Sequence, residues 1–261
     1  MRRIRGLAGP AICAIACAKG RCISNGFLGP VATEPLANPK PLWNTRATLA
    51  MPSRYLYGRM KNVRFDVPAL CKHFSEVVEP TPSVPYFDNG VNYAGWAMLS
   101  FDGEVADGVR KRPLGGGERS RLASSATAET PLCTGPMRGA IEAIRATGLH
   151  PYRARLMRLE SVGSVMTFHV DAKIETWRLH VPLITNHHSF FEWMLPGGEH
   201  VKKHLPADGS AYFVRVDIPH RAINYPGASS RVHLLMGVKG RPKTARFADP
   251  HVLERPLNPR T

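Results

Sequence analysis

The chain has 261 residues, 43% hydrophobic and 21% charged, which is the composition of an ordinary globular protein able to bury a core as one large domain or two small ones. Its 35 Lys and Arg against 20 Asp and Glu give a net charge of +15, which favours acidic partners such as nucleic acid. Arginine is nevertheless scattered along the whole length rather than gathered into one block, so a generally basic surface is the better reading and nucleic acid the disfavoured partner. The five cysteines (Cys13, Cys17, Cys22, Cys71, Cys133) form no CxxC pairs. That excludes a zinc ribbon and a disulfide framework and fits a reducing compartment, the cytoplasm.

At the N-terminus, Arg2, Arg3 and Arg5 precede an apolar run too short to span a bilayer. "ACA" at Ala16 to Ala18 resembles a cleavage site, so residues 1–50 read as an extension, either unstructured or a targeting segment. A domain is expected over residues 51–240. It opens with "NVRFDVPALCKHFSEVV", a short strand followed by a helix with Asp66 as N-cap and Pro68 in its first turn. "VNYAGWAMLSF" (Val91 to Phe101) reads as a buried strand. About twenty-five residues of Gly, Ser, Arg and Ala follow, read as a mobile loop. Its Gly115-Gly116-Gly117 lacks the Gly-Lys-Ser/Thr of a phosphate loop. "GPMRGAIEAIRATGL" predicts a helix with Met137, Ala140, Ile141 and Ile144 on one face and Gly148 at its C-terminal cap.

From Tyr152 the pattern changes. "ARLMRL", "SVMTFHV", "WRLHVPLI", "AYFVRVDI" and "RVHLLMGV" are strand-like and separated by glycine-containing turns. The expectation is a mainly β chain, a sandwich or jelly roll with a few flanking helices. "HVKKH" (His200 to His204) lacks the Glu of HExxH and reads as a loop or edge strand. Phe190, Phe191 and Trp193 either border a substrate entrance or pack together. The basic, Pro-rich residues 241–261 read as a surface tail.

The chemistry is concentrated in "FHVDAKIETWRLHVPL". In a strand, residues i and i+2 point to the same face, so His169 and Asp171 aim an imidazole and a carboxylate together. A buried carboxylate must be paired or bound to a metal. His220, in "VRVDIPHRAINYP", supplies a third ligand. Two histidines and one carboxylate form the facial triad of non-haem Fe(II) oxygenases, which leaves three coordination positions open. Arg231, eleven residues on, is a guanidinium facing the same pocket; its fork suits a carboxylate, for which the distal carboxylate of 2-oxoglutarate is the obvious candidate. Arg178 and His180, again i and i+2, add a second positive pair. His233 alternates with Arg231 and either shares its face or serves packing.

The segments "RLMRLESVGSVMTFHVD", "RLHVPLIT" and "HRAINYPGASSRVHLLMGV" resemble the aspartyl/asparaginyl β-hydroxylase family of Fe(II)/2-oxoglutarate oxygenases, which includes proline hydroxylases. The resemblance covers about residues 55–240. It implies a double-stranded β-helix (a cupin-like jelly roll), with His169, Asp171 and His220 as iron ligands. Arg231 would bind the distal carboxylate of 2-oxoglutarate, and Arg178 and His180 would line the cosubstrate pocket. The implied cofactors are Fe(II), 2-oxoglutarate and O2. The implied reaction is hydroxylation of an amino acid or an amino-acyl side chain (Asp/Asn or proline-like), free or within a peptide, with succinate and CO2 as co-products. "SVGS" (Ser161 to Ser164) departs from the usual Pro-Gly, with Gly163 keeping the turn. Two alternatives stand beside this reading. One is a nucleic-acid dealkylase of the same superfamily, which would carry a second arginine where this chain has Gly237. The other is a non-catalytic jelly-roll binding protein.

Overall fold

The computed structural model describes residues 55–86, 92–109, 123–160, 163–171, 177–227, 229–240 and 247–252. Among the described residues, fourteen strands build two main sheets and a small two-stranded one. In chain order they are β1 (Tyr55–Arg64), β2 (Val84–Pro85), β3 (Tyr93–Ala97), β4 (Leu99–Ser100), β5 (Ala128–Glu129), β6 (His150–Leu159) and β7 (Ser164–Val165). There follow β8 (Trp177–Ile184), β9 (Ser189–Met194), β10 (His200–Lys203), β11 (Ser210–Arg215), β12 (His220–Asn224), β13 (Arg231–Lys239) and β14 (Phe247–Val252). The helices are α1 (Val67–His73), continued by a π-helical turn at Phe74–Val78, α2 (Val105–Val109) and α3 (Gly135–Ala146).

The fold class follows from the strand order. From β6 onward the chain deposits β6, β8, β11 and β13 in one sheet and β7, β9, β10 and β12 in the other. The orders are β11-β8-β13-β6 and β10-β9-β12-β7. The chain thus winds between two facing antiparallel sheets, which is a double-stranded β-helix. β14, β1, β3 and β2 widen the first sheet to eight strands.

Period-2 alternation decides what each face buries. On β8 and β13, Leu179, Val181, Val232, Leu234 and Met236 point outward beneath α1 and α3, packing with Leu70, Met137, Ile141 and Ile144. The alternate positions, Arg178, His180, Arg231 and His233, therefore face the space between the sheets. α1 forms where expected: Asp66 accepts a hydrogen bond from the Ala69 amide at 3.0 Å, with proline in the first turn. α3 buries the predicted stripe of Met137, Ala140, Ile141 and Ile144, and Gly148 just beyond it has φ +89°.

Several boundaries differ from the sequence expectation. The Val91 to Phe101 segment splits at Met98 into β3 and β4, which enter different sheets. The supposed loop begins with α2 and ends at β5; residues 110–122 lie outside the described region. "SVMTFHV" forms only the two-residue β7 and a bridge at His169. β9 and β12 carried no clear strand signal: Phe190, Phe191 and Trp193 form β9, and His220 opens β12 rather than following a strand. The segment read as a surface tail contributes β14, which pairs with β1, so the sheet extends to Val252. Residues 1–50, including the supposed targeting segment, lie outside the described region. Among the described residues no helix is long and apolar enough to cross a membrane.

Gly237 marks a close approach within the first sheet. A Cβ there would meet the Tyr152 ring at 2.2 Å. Gly237→Ala is expected to destabilise the fold by about 1–3 kcal/mol, the usual range for overpacking, measured by thermal or urea unfolding.

Candidate metal and anion site

His169 and His220 come together because their strand segments pair. The His169 amide donates to the His220 carbonyl at 3.1 Å, and the His220 amide donates back at 2.9 Å. The ring centroids are 4.5 Å apart. With Asp171 they form a cluster whose ligand atoms all lie within 4.8 Å of one another.

The outer face of the second sheet fixes this arrangement. Glu192 on β9 is buried and accepts from Arg221 Nε at 2.5 Å, with His200 Nδ1 3.0 Å away. Burial opposes its charge, but the hydrogen bonds from Arg221 and His200 outweigh that and lower its pKa. Arg221 also lies over the Phe168 ring, 4.2 Å from its centroid. Phe168 precedes His169 and Arg221 follows His220, so an outward clamp steadies two inward histidines.

The donor chemistry fits a metal. His169 Nδ1 lies 2.9 Å from the Thr167 carbonyl and His220 Nδ1 2.8 Å from the Ile218 carbonyl. A carbonyl can only accept, so each Nδ1 carries the proton and each Nε2 keeps a lone pair for a metal. Burial pushes the His220 pKa down to about 4 against the opposing pull of Asp171, so the ring is neutral at neutral pH. Arg178 ion-pairs with Asp171. Arg178, expected to line a cosubstrate pocket, is placed by this pair against the Asp171 carboxylate.

Behind the triad lies a chain of buried cationic and imidazole groups. Arg231 is 2% exposed and donates through Nη2 to His233 Nδ1 at 2.9 Å. Among the described residues no carboxylate comes within ion-pairing distance of it. Burial pushes its pKa down to about 10. His233 Nδ1 is 3.5 Å from His180 Nδ1. Burial, with Arg231 close by, holds both imidazoles well below the usual histidine range, so both are neutral. The Nε2 atoms of His180 and His233 are buried with no hydrogen-bond partner among the described residues. A buried guanidinium next to two unsatisfied imidazoles is costly in an isolated fold and suits an anion. His233 thus shares the inner face with Arg231 and contacts both Arg231 and His180.

Asn224, at the end of β12, carries the turn into Arg231. Its side-chain amide donates to the Glu160 and Ser229 carbonyls at 3.0 and 3.1 Å. Its oxygen accepts from Ser189 Oγ and from Asn186 Nδ2. Asn224 stands inside "HRAINYPGASSRVHL", but only the pairing of β9 with β12 shows that it is buried. Asn224→Ala is expected to cost about 2–3 kcal/mol, read by urea unfolding, because it leaves several buried partners unsatisfied.

Arg155, on β6, is a further buried cation on the inner face that sequence patterning missed. "RARLMRL" has no clean alternation to assign its side. Of the expected site residues, His169, Asp171 and His220 converge, Arg178 joins them through Asp171, and His180, His233 and Arg231 form the adjoining cluster.

No family model and no curated protein matches this sequence. Similar solved structures include an oxidoreductase of the 2OG-Fe(II) oxygenase family from Burkholderia pseudomallei, at 13% identity over 69% of this chain and 83% of that one, with a TM-score of 0.41. A prolyl-4-hydroxylase from Pseudomonas putida matches at 13% identity over 72% of this chain and 94% of that one, with a TM-score of 0.41. The non-heme alpha ketoglutarate dependent epimerase SnoN from nogalamycin biosynthesis matches at 16% identity, 78% and 91% coverage, and a TM-score of 0.42.

Proposed function

We propose that the chain is an Fe(II)/2-oxoglutarate-dependent oxygenase that hydroxylates an amino acid or an amino-acyl side chain, similar to the aspartyl/asparaginyl β-hydroxylases. The observation that carries this reading is the juxtaposition of a His-Asp-His cluster with a buried arginine that has no carboxylate partner among the described residues. Either feature alone has structural explanations, but together they provide for a metal and for an anion beside it.

His169 and His220 would hold iron through Nε2, and Asp171 through its carboxylate, which Arg178 steadies. Bound iron and 2-oxoglutarate supply the oxygen activation, with succinate and CO2 as co-products. Arg231 would take the distal carboxylate of the cosubstrate and, by its hydrogen bond to His233, orient that ring beside it. Leu159, Met166 and Ala222 form a small buried apolar cluster with Tyr93 packed against it. Gly237 weighs against the nucleic-acid dealkylase reading. The Tyr152 ring occupies the space that a side chain at this position would need.

The test is anaerobic addition of Fe(II) and then 2-oxoglutarate to the purified chain. A weak visible metal-to-ligand charge-transfer band is expected only when both are present. Folded, metal-loaded protein without that band would overturn the oxygenase reading and leave a jelly roll whose role is binding.

A further inference from the structure

Arg155 plays no part in the functions just assigned. It lies in the middle of β6 and is 4% exposed. Its neighbours Ala154 and Leu156 pack outward into the core beneath the helices. Arg155 and Met157 therefore face inward, where Met157 packs with Leu235 and against Tyr86 and Tyr93. Among the described residues Arg155 has no hydrogen bond or ion pair, and its Nε is fully buried. Its guanidinium carbon is 6.0 Å from the centre of the Tyr86 ring, at the outer limit of a cation–π contact. Burial, together with the charges of Arg153 and Arg178, pushes its pKa down to about 10. The fold thus keeps a second buried cation that its own groups leave uncompensated, as expected of a binding residue retained at a cost to stability.

Its position separates it from Arg231. Arg231 lies across from Leu159 on β6, and Arg155 lies across from Leu235 on β13. The two levels are four residues apart, about 13 Å of strand. Leu235 is in turn opposite His180, and Gly237 is opposite Arg178, the partner of Asp171. Arg155 therefore occupies a different rung of the inner face from Arg231, the rung of Leu235 and His180. Beside it, Tyr86 and Tyr93 meet edge to face with centroids 5.3 Å apart, forming an aromatic wall next to a positive charge.

We propose that Arg155 receives a carboxylate of the substrate, distinct from the one held at Arg231, so that the substrate is a small free acid with an apolar body, such as an amino acid, and not a neutral peptide segment. This rests on the oxygenase reading of the same site. The carboxylate would meet the guanidinium, and the apolar body would lie against Tyr86, Tyr93 and Met157.

The full chain, loaded anaerobically with Mn(II) and 2-oxoglutarate, is titrated calorimetrically with L-proline, L-leucine and L-aspartate, each beside its α-amide. At least one acid is expected to bind, and its amide roughly tenfold or more weakly. Arg155→Met should lose the acid by a similar factor, keep its affinity for 2-oxoglutarate and melt no lower than the parent chain. Arg231→Met should instead lose 2-oxoglutarate. The proposal is overturned if no acid binds, or if acid and amide bind alike. It is equally overturned if Arg155→Met weakens 2-oxoglutarate as Arg231→Met does, or melts well below the parent as a structural residue would. If the unaltered chain takes up no 2-oxoglutarate, the oxygenase reading fails separately, and the same acid and amide titrations without cosubstrate still decide the role of Arg155.

Discussion

Arg231→Met is expected to weaken 2-oxoglutarate binding by roughly 30-fold to several-thousand-fold, equivalent to about 2–5 kcal/mol, while leaving the metal-free protein at least as stable. The two effects have one cause. Arg231 is 2% exposed and has no carboxylate within ion-pairing distance among the described residues. The usual penalty for breaking a buried ion pair, about 3–5 kcal/mol, therefore does not apply. What disappears is a desolvated cation and one hydrogen bond to His233. Methionine fills similar volume without a charge, and a gain of about 1–2 kcal/mol would raise the melting temperature by roughly 2–8 °C. Calorimetric titration of 2-oxoglutarate and a thermal melt of the same variant check both halves. A variant that melts well below the parent would show that Arg231 is a structural residue. The contrast is Arg178, whose removal breaks its ion pair with Asp171.

The second large effect concerns the metal. His169→Ala should lose Fe(II) affinity by more than the roughly 10–100-fold that loss of an outer-shell partner costs, because a ligand itself is removed. Anaerobic equilibrium dialysis measures this directly. The apoprotein should be within about 0.5 kcal/mol of the parent in stability, since His169 is only partly buried and its Nδ1 bonds the local Thr167 carbonyl. His220→Ala should lose the metal as well, but also stability, because His220 is 2% exposed and stacks on Phe191 at a centroid distance of 5.3 Å. Unimpaired metal binding in both variants would sink the triad. Equal loss of stability in both would mean that the burial contrast between the two histidines is wrong.

Features that depend on local chain geometry were legible in the sequence. The Asp66 cap, the buried stripe of α3 and the outlines of β8 and β13 follow from side-chain period and capping chemistry, each within a few residues. The same period puts Arg178 with His180 and Arg231 with His233 on one face. β9 and β12 were missed because polar residues such as Glu192, Arg221 and Asn224 interrupt them, and those residues are satisfied by partners distant in the chain. β14 was missed because a basic, proline-rich segment gives no strand signal until β1 offers an edge to pair with.

By itself the sequence determined which residues share a face, because alternation along a strand is a property of the backbone. Tertiary structure alone decided that His220 bridges to His169 fifty-one residues earlier, that Arg155 points inward, and that neither Arg155 nor Arg231 meets a carboxylate among the described residues. Those facts depend on strand register and on desolvation. Both are set by residues far apart in the chain, so no local pattern could encode them.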